Sequence, residues 1–148
     1  MSWKTIVVAY DGSGPAAWAL ERAAELAGAS GARLVVTSVA RPLPSGAAAH
    51  GLGPFDPADP PEAHEQLLQQ ARELLADRGF DAELEVAVGD VAGAIIDVAD
   101  RHEADLIVVG TREPGFLDRL VGGSTSQAVS RHAHCDVFIV HSPEGADG

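Results

Sequence analysis

The chain has a single cysteine, Cys135, and a single lysine, Lys4. One thiol excludes an internal disulfide and a zinc cage built from cysteines. No G-x-x-x-x-G-K-[ST] sequence occurs, so there is no phosphate-loop lysine. Basic residues are scarce as a class. Ten Lys and Arg stand against 22 Asp and Glu, a net charge of −12. That balance argues against nucleic acid or an anionic membrane surface as a partner, since both need a basic face. No apolar run approaches the length of a membrane span and no signal-like start is present, so a cytoplasmic protein is expected. Internal repeats are missing too. No Ser-His-Asp order, H-E-x-x-H motif or carboxylate pair nominates a general base, and the chain is not expected to be an enzyme beyond a slow, incidental hydrolysis.

What is there suits one ordinary globular domain over residues 1–148. At 148 residues, with 46% hydrophobic and 22% charged residues, the chain can build a real core. Thr5–Tyr10 is a short β-branched run of the kind that forms a buried parallel strand. Ser13 then fits a helix N-cap, with Pro15 in the first turn. Ala17, Leu20, Ala24 and Ala27 share one helical face, and Gly28 and Gly31 are expected to stop the helix. Arg33–Val39 reads as a second strand. Residues 40–61 break the rhythm, holding six of the nine prolines; a long loop, mobile over 43–60, is expected there, either a surface insertion or a cover for a ligand.

A helix over Glu62–Arg78 follows, with Leu67, Ala71, Leu74 and Leu75 as its apolar face and Gly79 as its stop. Glu83–Val88 alternates like an edge strand. Asp90 fits an N-cap for a helix burying Ile95, Val98 and Ala99. Leu106–Val109 is a strand, a helix starts near Ser124, and Asp136–Val140 is the last strand. Five strands alternating with four helices predict an α/β open parallel sheet, Rossmann-like, with helices on both faces. Trp3 and Trp18 read as packing residues. His132, His134 and Cys135 form an H-x-H-C cluster that could hold a soft metal but fits better as an ordinary turn before a strand.

The chemistry concentrates between Leu106 and Val140. An apolar strand ends at Gly110, a loop carries Gly115, Gly122 and Gly123, and Ser124 and Thr125 open a helix. Glycines allow a close backbone approach, and the free N–H groups of a helix start favour phosphate. Ser124 fits the N-cap with its hydroxyl beside such an oxygen. Arg112 and Arg119 flank the loop; they could pair with phosphates or be solvated surface residues.

This pattern, together with the segment Thr5-Ile-Val-Val-Ala-Tyr-Asp11-Gly-Ser13 and the closing strand, resembles the universal stress protein family over nearly the whole chain. The family's ATP-binding branch carries G-x-x-G-x9-G-[ST]. Gly110, Gly123 and Ser124 match it at the expected spacing, and Glu113 stands where the second glycine would be. The resemblance implies strand order 3-2-1-4-5, a topological switch between the strands ending at Tyr10 and Val109, and a ligand site there. It also implies that Ala9 and Val39 meet adenine, mainly through backbone. Gly110, Thr111, Arg112 and the residue at 113 would border ribose and phosphate, and Gly123, Ser124 and Thr125 would cradle the phosphate chain. Asp11 would lie beside the nucleotide, on ribose hydroxyls or on Mg²⁺ carried by the phosphates; an Asx turn before the helix explains the same residue equally well. ATP is the ligand the resemblance puts first, with AMP and cyclic AMP as competitors; a ligand-free interaction protein is the alternative. A homodimer through Asp136–His141 is expected, because the last strand would otherwise leave an apolar open edge.

Overall fold

The computed structural model describes residues 3–42, 59–111 and 125–141. Along the chain run β1 (Thr5–Ala9), α1 (Gly14–Ser30), β2 (Arg33–Ala40), α2 (Pro61–Ala76), β3 (Glu83–Val88), α3 (Val91–Arg101), β4 (Leu106–Thr111), α4 (Thr125–His132) and β5 (Asp136–His141). All four strand pairings are parallel, in the order β3-β2-β1-β4-β5. The strands are short β-branched runs, and β1, β2 and β4 are buried on both faces, as the centre of a covered sheet requires.

Two cores follow from the alternation along each strand. Ile6, Val8, Leu34, Val36, Leu106 and Val108 face α1 and α2. Val7, Val35, Ile107 and Val109 face α3 and α4. The first two crossover helices therefore cover one face and the last two the other, so the winding reverses between β1 and β4.

Local signals act as read. The Ser13 hydroxyl accepts from the Ala16 N–H, and the Asp90 carboxylate accepts from Gly93. Trp3 and Trp18 pack against the α1/α2 core, with Trp3 Nε1 donating to Asp136 at 3.3 Å. Near the start of β1, Asp105 accepts the backbone N–H groups of Lys4 and Thr5. Its carboxyl stays below the usual range although burial pushes the other way.

Two expectations need correction. Gly28 does not stop α1, which runs on to Ser30 and is closed by Gly31. A Cβ on Gly28 would lie 2.9 Å from the Phe80 ring, so this glycine makes room for the chain after α2. The buried stripe of α2 is His64, Leu68, Ala71 and Leu75, while Leu74 is 43% exposed and Leu67 only borders the core. The helix is turned because His64 sits inside, where both of its ring nitrogens have partners. The Pro-rich stretch lies between Ala40, which ends β2, and Pro61, which begins α2; the mobile segment expected over 43–60 falls, for 43–58, outside the described residues.

Candidate functional site at the carboxyl edge of the sheet

A cleft of about 290 Å³ opens where β1, β2 and β4 end. Of the sequence-predicted residues, Ala9, Asp11, Val39, Gly110 and Thr125 line it together. They come from three strand ends and the first turn of α4, and only the reversal of winding between β1 and β4 brings them to one place. Thr111 ends β4 beside them. Arg112, Glu113, Arg119, Gly123 and Ser124 lie outside the described residues. Val91 and Ile95 on α3, with Val109, supply an apolar wall.

The turn after β1 is tightly specified. Asp11 Oδ1 accepts from the Ser13 N–H at 3.0 Å, the Asx turn expected at that position, and Gly12 between them has φ +83°. Tyr10 forms part of the cleft with a ring that is only 4% exposed, and its hydroxyl donates to Gln70 Oε1 at 2.7 Å. Burial, and then the neighbouring Asp11 charge, push the phenol above its ordinary range. Tyr10 thus stays a neutral phenol, with its ring held in the α1/α2 core rather than offered to the cleft.

Gly110 has a second task that its sequence context did not reveal. A Cβ built there would sit 2.6 Å from the Pro15 carbonyl carbon and 3.2 Å from the Ala16 nitrogen. The end of β4 and the first turn of α1 are in backbone contact, and only glycine allows that approach. The residue that borders the cleft is also the seam between β4 and α1.

The β2 side of the cleft carries a hydrogen-bonded chain. Ser38 Oγ is 2.7 Å from His64 Nδ1, and His64 Nε2 is 2.7 Å from Asp59 Oδ1. Asp59 Oδ2 accepts the Arg41 backbone N–H at 2.9 Å and lies 3.5 Å from Arg41 Nε. The Arg41 N–H does most to hold the Asp59 carboxyl below its usual range, and His64 reinforces it against partial burial. Ser38, His64 and Asp59 are the residue types of a hydrolase triad, but this arrangement is not one. Ser38 is 1% exposed on the sheet face that packs against α2, and it is not among the residues lining the cleft. A nucleophile must reach its substrate. The chain holds a buried polar pair satisfied at both ends, which is what burial of a histidine requires.

Residues 2–141 match the model of the universal stress protein family. The chain belongs to this family. Stress response protein NhaX of Bacillus subtilis is 29% identical, over 91% of this chain and 96% of its own. A universal stress protein of Mycobacterium tuberculosis is 33% identical, over 95% of this chain and 98% of its own. Among solved structures, a universal stress protein in complex with cAMP superimposes with a TM-score of 0.74 at 28% identity, covering 97% of this chain and all (100%) of that one. The universal stress protein from Archaeoglobus fulgidus in complex with dAMP gives a TM-score of 0.65 at 26% identity, over 95% and 99% of the two chains.

Within this universal stress protein the H-x-H-C cluster does not gather. His134 Nδ1 pairs with Asp100 at 3.1 Å, and burial first, then nearby carboxylates, push the Cys135 thiol up, away from ligand chemistry. No group of three metal-binding side chains occurs among the described residues. No described helix is long and apolar enough to cross a membrane.

Sequence reading missed Arg41, Asp59 and His64. One signal was available: His64, Leu68, Ala71 and Leu75 fall on one helical stripe. A histidine on that stripe needs partners, but the sequence did not say that they are Ser38 and Asp59.

Proposed function

We propose that this universal stress protein binds an adenine nucleotide in the cleft between β1 and β4, and that it acts as a stress-response sensor or regulator through its bound state rather than as an enzyme. The observation that carries the reading is the convergence of Ala9, Val39, Gly110 and Thr125 on one nucleotide-sized cleft at the switch point. Two structural neighbours whose ligands are cAMP and dAMP support it. In this reading the base lies against Ala9 and Val39, and the phosphates lie toward Gly110, Gly123, Ser124 and Thr125. The first turn of α4 offers N–H groups there. Asp11 faces the ribose or a Mg²⁺ that travels with the phosphates; a single carboxylate fits that ion, which keeps most of its water and phosphate ligands. The test is direct: heat-release and identify the small molecules retained on the purified protein. A chain that retains no nucleotide and takes none up in titration is the ligand-free interaction protein instead.

Glu113 bears on which nucleotide is preferred. A carboxylate about 8 Å from a phosphate, at an effective dielectric near 20, repels it by roughly 2 kcal/mol before salt screening. That is more than tenfold in affinity and grows with phosphate count. ATP stays the ligand that the family pattern puts first, and Glu113 shifts the preference toward AMP or cyclic AMP relative to chains with glycine at this position. Glu113→Gly is expected to gain about tenfold for ATP and less for AMP in calorimetric titration. An equal gain for both means that the carboxylate never meets the phosphates.

The proposed homodimer forms through β5. Val137 and Ile139 are half-buried and Phe138 is 38% exposed, on a strand whose described pairing is with β4 alone. Such an edge is normally covered. Sedimentation at micromolar concentration is expected to give twice the chain mass of 15.3 kDa. A species of 15.3 kDa alone rules the dimer out.

A further inference from the structure

We infer that Arg41 is a ligand-contacting residue whose guanidinium packs flat on the base of the bound nucleotide, and that Asp59, His64 and Ser38 are its positioning residues. The inference rests on the nucleotide reading above and adds to it the contact that grips the base.

Thr37, Val39 and Arg41 are two residues apart, so they present to one side of β2 and its extension, and all three line the cleft. Gly110 and Thr125, the phosphate end in this reading, belong to β4 and α4. Two strand spacings, about 10 Å, separate β2 from β4. Arg41 is therefore at the end of the cleft that Val39 marks for the base.

A flat ring needs a flat partner or an apolar wall. Val91 and Ile95 supply a wall. Among the described lining residues the one aromatic side chain is Tyr10, whose ring is almost wholly buried and whose hydroxyl is committed to Gln70. It has no face to give. Arg41 is the one cation among those lining residues, in a chain of net charge −12, and its side chain is 65% exposed. A guanidinium is planar and weakly hydrated, and it stacks on π-systems as an ammonium does not.

The tether explains how so exposed a side chain can be useful. An arginine free in solvent loses several rotamers on binding. Here Asp59 takes the Arg41 N–H with one oxygen and lies near Nε with the same oxygen, while its other oxygen is fixed by His64. His64 is in turn fixed by the buried Ser38. The chain of bonds runs from the sheet interior to the rim and ends on Arg41.

The experiment is calorimetric titration of adenosine, AMP and ATP into the full chain and its variants. Arg41→Ala is expected to weaken all three alike, by about tenfold, with Arg41→Lys recovering little of the loss. His64→Gln is expected to cost severalfold in the Arg41 protein and nothing further in the Arg41→Ala protein, a coupling that a merely structural histidine would not show. If His64→Gln fails to fold, Asp59→Asn at the rim takes its place in the same cycle. A loss that grows from adenosine to ATP overturns the stacking, because Arg41 then meets phosphates. Losses within twofold for every ligand overturn the contact. Equal costs of His64→Gln in both backgrounds overturn the positioning role. A wild-type chain that binds none of the three ligands defeats the nucleotide reading itself and this contact with it.

Discussion

Gly110→Ala is expected to destabilise the whole protein, lowering its melting temperature by roughly 6–12 °C. The added methyl has nowhere to go. It would sit 2.6 Å from the Pro15 carbonyl carbon, and the clashing atoms are backbone, which cannot swing aside as the end of a side chain can. Either β4 or the first turn of α1 must shift, and both are anchored in the same core. Overpacking of a tight interior costs about 1–3 kcal/mol and sometimes more. A clash with rigid backbone belongs at the top of that range, and each kcal/mol moves the midpoint of a chain this long by about 2–4 °C. Thermal unfolding of the variant, without ligand, reads this directly. A shift below 2 °C would mean that the seam between β4 and α1 is looser than its geometry, and that Gly110 serves the ligand alone.

The opposite outcome is expected at the other glycine of the motif. Gly123→Val should leave the melting temperature of the ligand-free protein unchanged and reduce nucleotide affinity by a hundredfold or more. The position lies two residues before α4, in a stretch whose glycines and helix start invite a phosphate. A β-branched side chain holds the phosphates away from those N–H groups. Two lost hydrogen bonds to a charged group, each contributing about 1.5–3 kcal/mol, account for the size of the effect. Calorimetry on the folded variant decides it; affinity within threefold of wild type moves the phosphates elsewhere. The pair of variants separates two jobs that one sequence motif conflates, a glycine for packing and a glycine for binding.

Features written into contiguous residues were readable in advance. The β-branched runs gave the strands, Ser13 and Asp90 gave the caps, and the resemblance gave the strand order that no spacing contains. What escaped depends on partners far apart in the chain. Gly110 is constrained by Pro15, and Gly28 by Phe80, each more than 50 residues away, so in sequence Gly110 read only as a ligand-motif glycine and Gly28 only as a helix stop. The rotation of α2 escaped because a hydrophobic pattern counts His64 as polar. Ser38 lies 26 residues before it, and Asp59 five residues before it, and those two bonds make its burial possible. The cleft was readable at Ala9, Asp11, Val39, Gly110 and Thr125 through the family pattern, and unreadable at Arg41 and Asp59, where no motif points.

The bond between Arg41 and Asp59 also has a meaning for how this chain can change. The two residues are 18 apart and meet across the mouth of the segment between them. Once its ends are held, a segment's closure entropy grows only with the logarithm of its length, about 0.6 kcal/mol for each doubling. Insertions, deletions and grafted peptides between them therefore place little strain on β2 or α2. The clasp acts as a socket, at which evolution or an engineer can exchange the intervening sequence while the sheet keeps its register.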